Sequence, residues 1–173
     1  MEDSPFTTGP NSPDPADDDI PWADPAIRIE YEAALGQFIL AYNEVDYRIS
    51  QVIRAELTRR ARPDLAATAS KGQFTHRLDA LDLLASTTKD GQLGVIPVAR
   101  LRVINADRNN LAHGHFDQNP FDGSYTLVLK EKTRDYPIQR MRALVSELTD
   151  IAGQLRTTEI LYDFEDLDAK DGA

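Results

Sequence analysis

Cysteine is absent from this chain of 173 residues, which excludes disulfides, thiolate metal sites and thiol nucleophiles. No apolar run approaches the roughly 20 residues that span a bilayer. The N-terminus also lacks the basic-then-apolar order of a secretion signal. The length suits one domain with a core that needs no covalent staples. These absences predict a cytoplasmic protein with no membrane partner.

Base is missing where acid is plentiful. Residues 1–24 carry seven acids and no base, and residues 159–173 carry six acids against Lys170. Of the net charge of −10, that leaves +2 for residues 25–158, so the middle of the chain does not repel a polyanion. Residues 1–24 also hold Pro5, Pro10, Pro13, Pro15 and Pro21 among Ser, Thr, Gly and Asp. Such a stretch buries too little apolar surface to offset its ordering entropy and is expected to be a disordered acidic tail. Trp22 and Ile20 are its exceptions, with the potential to dock on the core. There is no internal repeat.

Asp24-Pro25 reads as a helix cap followed by proline in the first turn. From there Tyr31, Leu35, Phe38, Tyr42, Val45, Ile49, Val52, Ile53 and Leu57 recur at the spacing of an amphipathic helix, which runs to Arg59-Arg60 before Pro63. A helix of that length, roughly 50 Å, exceeds the needs of a compact domain and predicts a partner surface along part of it. A second helix is expected over 73–86, with Phe74, Leu78, Leu81, Leu84 and Ala85 inward, broken afterwards by Lys89-Asp90-Gly91 and Gly94. Pro97 opens a third helix carrying Val98, Leu101, Ile104, Leu111 and Ala112, which Gly114 ends. Tyr125–Leu129 after Asp122-Gly123 reads as a strand, with a return strand over Asp135–Ile138. The last helix holds Met141, Leu144, Val145, Leu148, Ile151, Ala152 and Leu155 and fades into an acidic tail over 161–173. The expected fold is all-α: an antiparallel bundle of four to five helices over 25–160, with a short β-hairpin before the last helix.

The chemistry concentrates in Arg108-Asn109-Asn110-Leu111-Ala112-His113-Gly114. Arg108 interrupts the apolar stripe of the third helix, and Asp46 interrupts that of the first. Buried charge is costly unless paired, so an Asp46–Arg108 ion pair is the structural reading of both. The functional reading is phosphoryl chemistry on RNA. Histidine moves protons near neutral pH, arginine grips phosphate with a bidentate fork, and asparagine orients either. The helix C-terminus favours an imidazolium, which suits a general acid. Positions five apart on a helix are rotated by about 140°, so spacing alone aligns His115 rather than His113 with Arg108, although Gly114 frees His113 to turn. Both histidines, with Asn110, stay open as contributors.

Other readings are weaker. His113-Gly114-His115, helped by His76, makes a poor metal motif with no acid in a ligand-like position, so neither metal nor cofactor is expected. Arg54, Arg59, Arg60 and Arg62 read as a solvated helix end that complements the dipole, and Arg134, Arg140 and Arg142 as solvated charge. No aromatic platform for single-stranded RNA is evident.

The segment from Arg108 to Gly114 resembles the signature of the HEPN superfamily: an arginine followed by a polar residue, then a histidine after four to six positions. The resemblance covers seven residues in motif and about 25–160 in architecture. It implies a helical bundle, often a homodimeric metal-independent endoribonuclease of toxin–antitoxin, CRISPR or phage-defence systems. Two signature helices would meet there across a two-fold axis in one composite site. It further implies Arg108 and His113 as the catalytic pair and Asn109 as the supporting polar residue, with Asp46 a weaker match to an acid of the first helix. An antitoxin or regulatory protein is an implied partner. A noncatalytic dimerisation or nucleotide- or RNA-binding module is the alternative that the resemblance carries. One departure is His115, which stands where the branch regulated by nucleotidyltransferase antitoxins has tyrosine, so that modification is not expected.

Overall fold

The computed structural model describes residues 22–87, 91–130 and 132–171. The expected tail over 1–21, with Ile20, and the Lys89-Asp90 part of the expected break lie outside the described residues.

The Asp24 carboxylate accepts from the Ala26 N–H at 2.8 Å and Pro25 fills the first turn, so helix α1 (Pro25–Arg59) starts where its cap predicts. Phe38, Val45, Ile49, Val52 and Ile53 are completely buried along its stripe. It ends in a Schellman arrangement. Ala61 takes the left-handed φ of 56°, the Arg62 N–H donates to Leu57 O at 2.8 Å, and the Ala61 N–H donates to Thr58 O at 2.9 Å. Pro63 then begins a short helix absent from the sequence expectation, α2 (Pro63–Ala69). Helix α3 (Phe74–Thr87) buries Phe74, Leu78, Leu81 and Leu84 as expected. A single 3-10 turn at Gln92–Val95 plugs Leu93 into the core and leads to α4 (Val98–His113). A sheet and the last helix, α5 (Ile138–Asp171), complete the fold, and the acidic 161–171 stretch expected as a tail continues that helix.

Helices α1 and α5 make the largest interface of the fold. Arg142 reaches Glu30 at 3.1 Å and Arg48 reaches Glu159 at 3.2 Å, so the two helices advance in the same direction. Helix α4 runs against α5, with Arg100 on Glu147 at 2.6 Å and Arg140 on Asp107 at 2.8 Å. At 34 residues α5 nearly equals the 35 of α1. The length that the sequence assigned to a partner surface is therefore matched within the chain.

The hairpin is a three-stranded antiparallel sheet in the order β1 (His115–Gln118), β2 (Tyr125–Leu129), β3 (Lys132–Asp135). The return strand comes earlier than expected and ends at Asp135, because Pro137 and Ile138 belong to the start of α5. Strand β1 has a single apolar residue, Phe116, and so carried no strand pattern. Phe116 packs edge-on to Tyr31, which stacks on Tyr125 at 3.9 Å. Central Leu127 is buried against the end of α4. Trp22 docks, but on the β1–β2 loop rather than the core: it stacks on Phe121 at 6.2 Å and stays 65% exposed. Among the described residues no helix is long and apolar enough to cross a membrane.

Gly114 ends α4 in extended backbone (φ −83°, ψ 161°), not in a left-handed turn. Its glycine is required for space. A Cβ there would lie 2.4 Å from Leu127 Cδ1 and 2.8 Å from the Asn110 carbonyl oxygen. Gly114→Ala is expected to lower stability by about 1–3 kcal/mol, as overpacking does, measured by chemical denaturation. Unchanged stability would show that the sheet does not bear on the end of α4.

Candidate active cleft

The middle of α1, the start of α3 and the end of α4 enclose a cleft of about 500 Å³. It is lined by Tyr42, Asn43 and Asp46 from α1, residues 73–75 and Arg77 at α3, and Asn105, Arg108, Asn109 and His113 from α4. Four of the six residues singled out in sequence therefore meet: Asp46, Arg108, Asn109 and His113. Asn110 and His115 do not line the cleft. Asn110 gives its carbonyl to the Gly114 N–H at 2.8 Å, and exposed His115 opens β1 opposite Val128.

The buried position in α4 belongs to Asp107, not Arg108. Both fit the three-and-four spacing between Ile104 and Leu111, so periodicity could not choose between them. Asp107 is 8% exposed and paired with Arg140, whose cation also lies 4.7 Å from the Tyr136 ring. The hydrogen bond from Arg140 to Asp107 raises the arginine pKa further. Ala112, expected inward, is exposed one turn beyond. Arg108 is half-buried on the flank, its guanidinium 5.6 Å from the Tyr42 ring and its Nη1 3.3 Å from Asn109 Oδ1. Its Nε is buried without a hydrogen-bond partner. Among the described residues no carboxylate pairs with it.

The expected Asp46–Arg108 pair does not form. The first turns of α3 lie against α1, and Asp46 pairs with Arg77 instead. Arg77 also donates to Ser50 Oγ at 2.6 Å. Beneath Arg108 the Tyr42 hydroxyl donates to Asn105 Oδ1 at 2.6 Å. Burial, and then the charge of Asp46, push the Tyr42 pKa well above its ordinary value, against the opposing pull of Arg108 and Arg77. The hydroxyl therefore remains a donor at any working pH. Neither Tyr42 nor Arg77 could be singled out in sequence, because each reads as an ordinary member of its helix.

The arginines at the end of α1 are more tightly held than a solvated end. Arg59 and Arg60 both donate to fully buried Glu56, at 3.0 and 2.5 Å, and Arg54 donates to Ser70 Oγ at 2.8 Å. Burial alone would push the Glu56 carboxyl up; the hydrogen bonds and charges of the two arginines outweigh it and hold the carboxyl below its ordinary value. Among the described residues, no group of three His, Asp or Glu side chains could hold a metal ion. A larger cavity, about 640 Å³, lies between the starts of α1 and α5 and strand β2. Its lining includes Ile27, Tyr31, Tyr125 and Ile138 with three carboxylates, and neither arginine nor histidine. It offers no group for phosphoryl chemistry.

Against known protein families, curated proteins and solved structures, the chain shows no match.

Proposed function

We propose that this chain is a metal-independent endoribonuclease of the HEPN type, cytoplasmic and active as a homodimer. One observation carries the reading: Arg108, a half-buried cation without a carboxylate partner, lines the same cleft as exposed His113. A cation left without a counter-ion in a partly dry cleft has room for an anion. The neighbouring imidazole gives that anion something to react with.

The reaction follows from these groups. The 2′-hydroxyl of a ribose attacks the adjacent phosphorus, its proton passes to an imidazole, and the P–O5′ bond breaks as the 5′-oxygen takes a proton. The products are a 2′,3′-cyclic phosphate and a 5′-hydroxyl. Arg108 holds the non-bridging oxygens and stabilises the charge that grows on them, while Asn109, in contact with Arg108, fixes its fork. One imidazole cannot accept and donate a proton in the same step, so two copies of His113 across a two-fold axis supply base and acid.

A surface for the second copy lies beside the cleft. Ile29, Leu40 and Tyr47 are 68%, 71% and 58% exposed and fall on one face of α1 with Ala33, Gly36 and the cleft residue Asn43. The expected result is cleavage of a structured RNA in excess EDTA, leaving 2′,3′-cyclic phosphate ends, by a protein that sediments as a dimer. Leu40→Asp is expected to yield a folded, inactive monomer. Absence of cleavage by a folded dimer would favour a noncatalytic binding module, and a monomeric active wild type would end the composite-site mechanism. An antitoxin-like regulator, where one exists, would be sought as a protein that blocks this cleavage.

A further inference from the structure

We infer that Arg77 is a second phosphate-binding cation of the cleft, positioned by Asp46, so that the cleft engages two successive phosphates of one strand. The inference rests on the reading of the cleft as an RNA site and adds to it a residue that lies outside the signature segment.

Three observations support it. First, Arg77 lines the cleft together with Arg108 while arising from a different helix, so the two guanidinium groups approach one space from two walls. Second, it is held in place. Its side chain is 12% exposed, Nη2 is on Asp46, Nη1 is 2.6 Å from Ser50 Oγ, and the cation lies 6.0 Å from the Phe74 ring. With a longer contact from Nη1 to the Asp46 carbonyl at 3.5 Å, these leave two of the five N–H donors of the guanidinium unspent, one on Nη2 and the buried Nε. Third, the charge is unbalanced in the direction that favours an anion. Among the described residues the cleft is lined by two arginines and one aspartate, a local excess of +1 before His113 is counted, in a chain of net charge −10. The excess is the charge of Arg108, and the Arg77–Asp46 pair beside it does not cancel it. Asp46 thus orients Arg77.

The test is equilibrium binding of a fluorescein-labelled 2′-O-methyl RNA decamer, whose blocked hydroxyl prevents cleavage, followed by anisotropy across a salt series. For single strands each phosphate contact contributes about 0.7 to the slope of log K against log salt. Arg77→Gln and Arg108→Gln are each expected to lower that slope by about 0.7 and to weaken binding about tenfold at low salt. Asp46→Asn, which keeps an acceptor for Arg77 and removes the opposing charge, is expected to bind about threefold or more tighter at low salt. If Arg108→Gln behaves so while Arg77→Gln keeps the wild-type slope and affinity, Arg77 is only a structural tie and the inference falls alone. If the wild type does not bind, or neither arginine variant changes the slope, the RNA reading of the cleft falls and takes the inference with it. Should Arg77→Gln fail to fold by circular dichroism, the ¹⁵Nε–H resonance of wild-type Arg77 decides as the decamer is added: a saturable shift supports the inference, and a resonance that stays fixed while that of Arg108 moves overturns it.

Discussion

Arg108→Ala and His113→Ala are each expected to reduce RNA cleavage by about two to four orders of magnitude, as loss of a charge-stabilising donor or a proton-transfer group does. The rate of appearance of 2′,3′-cyclic phosphate in EDTA is the readout. The two losses should not multiply, because groups acting in one step fail together, and the double variant is expected to be little worse than either single one. Arg108→Lys should recover part of the rate at most: lysine keeps the charge but lacks the planar fork. His113 is exposed, so its replacement should leave thermal stability nearly untouched. Arg108 lies against Tyr42, so part of its stability effect comes from lost packing on that ring. His115→Ala is the informative control, since His115 lies outside the cleft. If it abolished cleavage while His113→Ala did not, the assignment of the working histidine would be reversed.

The largest stability effect is expected at Glu56. Its side chain is fully buried while Arg59 and Arg60 are 30% and 29% exposed, so the carboxylate is the member that water cannot rescue. Removing one partner of a buried ion pair costs about 3–5 kcal/mol, and the part-exposed arginines place Glu56→Ala near the lower end, about 3 kcal/mol. Denaturant titration at neutral pH measures it. A cost under about 1 kcal/mol would mean that the arginines regain in water what they lose in the protein. The acid dependence has a definite sign. The folded carboxyl titrates below its ordinary value of 4.5, so the stabilisation is complete above that value and is lost as pH falls through the lowered one. The gap between wild type and Glu56→Gln should therefore be constant near neutrality and close in acid.

The helices were legible because their faces repeat: the stripes from Phe38 to Leu57 and from Met141 to Leu155 are buried as their spacing required. What escaped were elements whose cause is tertiary. Strand β1 is a strand because β2 lies beside it, and α2 is a single short segment held against α1. The site was legible in part. Arg108, Asn109 and His113 stood together in one segment, but the partner of Asp46 depended on which helix lands on α1. Spacing could not separate Asp107 from Arg108, nor His113 from His115. Asp107 is the buried one because α5 brings Arg140 to it, and His113 rather than His115 lines the cleft because the chain leaves α4 at Gly114.

The same-direction pairing of α1 with α5 dictates an order of assembly. The face of α1 that carries Phe38, Val45 and Ile49 is closed largely by a helix that a ribosome makes after α1, α3 and α4. Until that helix emerges, the nascent chain holds α1, α3 and α4 but leaves an apolar wall exposed to solvent or to chaperones. Contacts between segments more than a hundred residues apart also close late on entropic grounds. The core of the bundle therefore closes only once α5 has formed, later than the nearer pairings of α1, α3 and α4 that enclose the cleft.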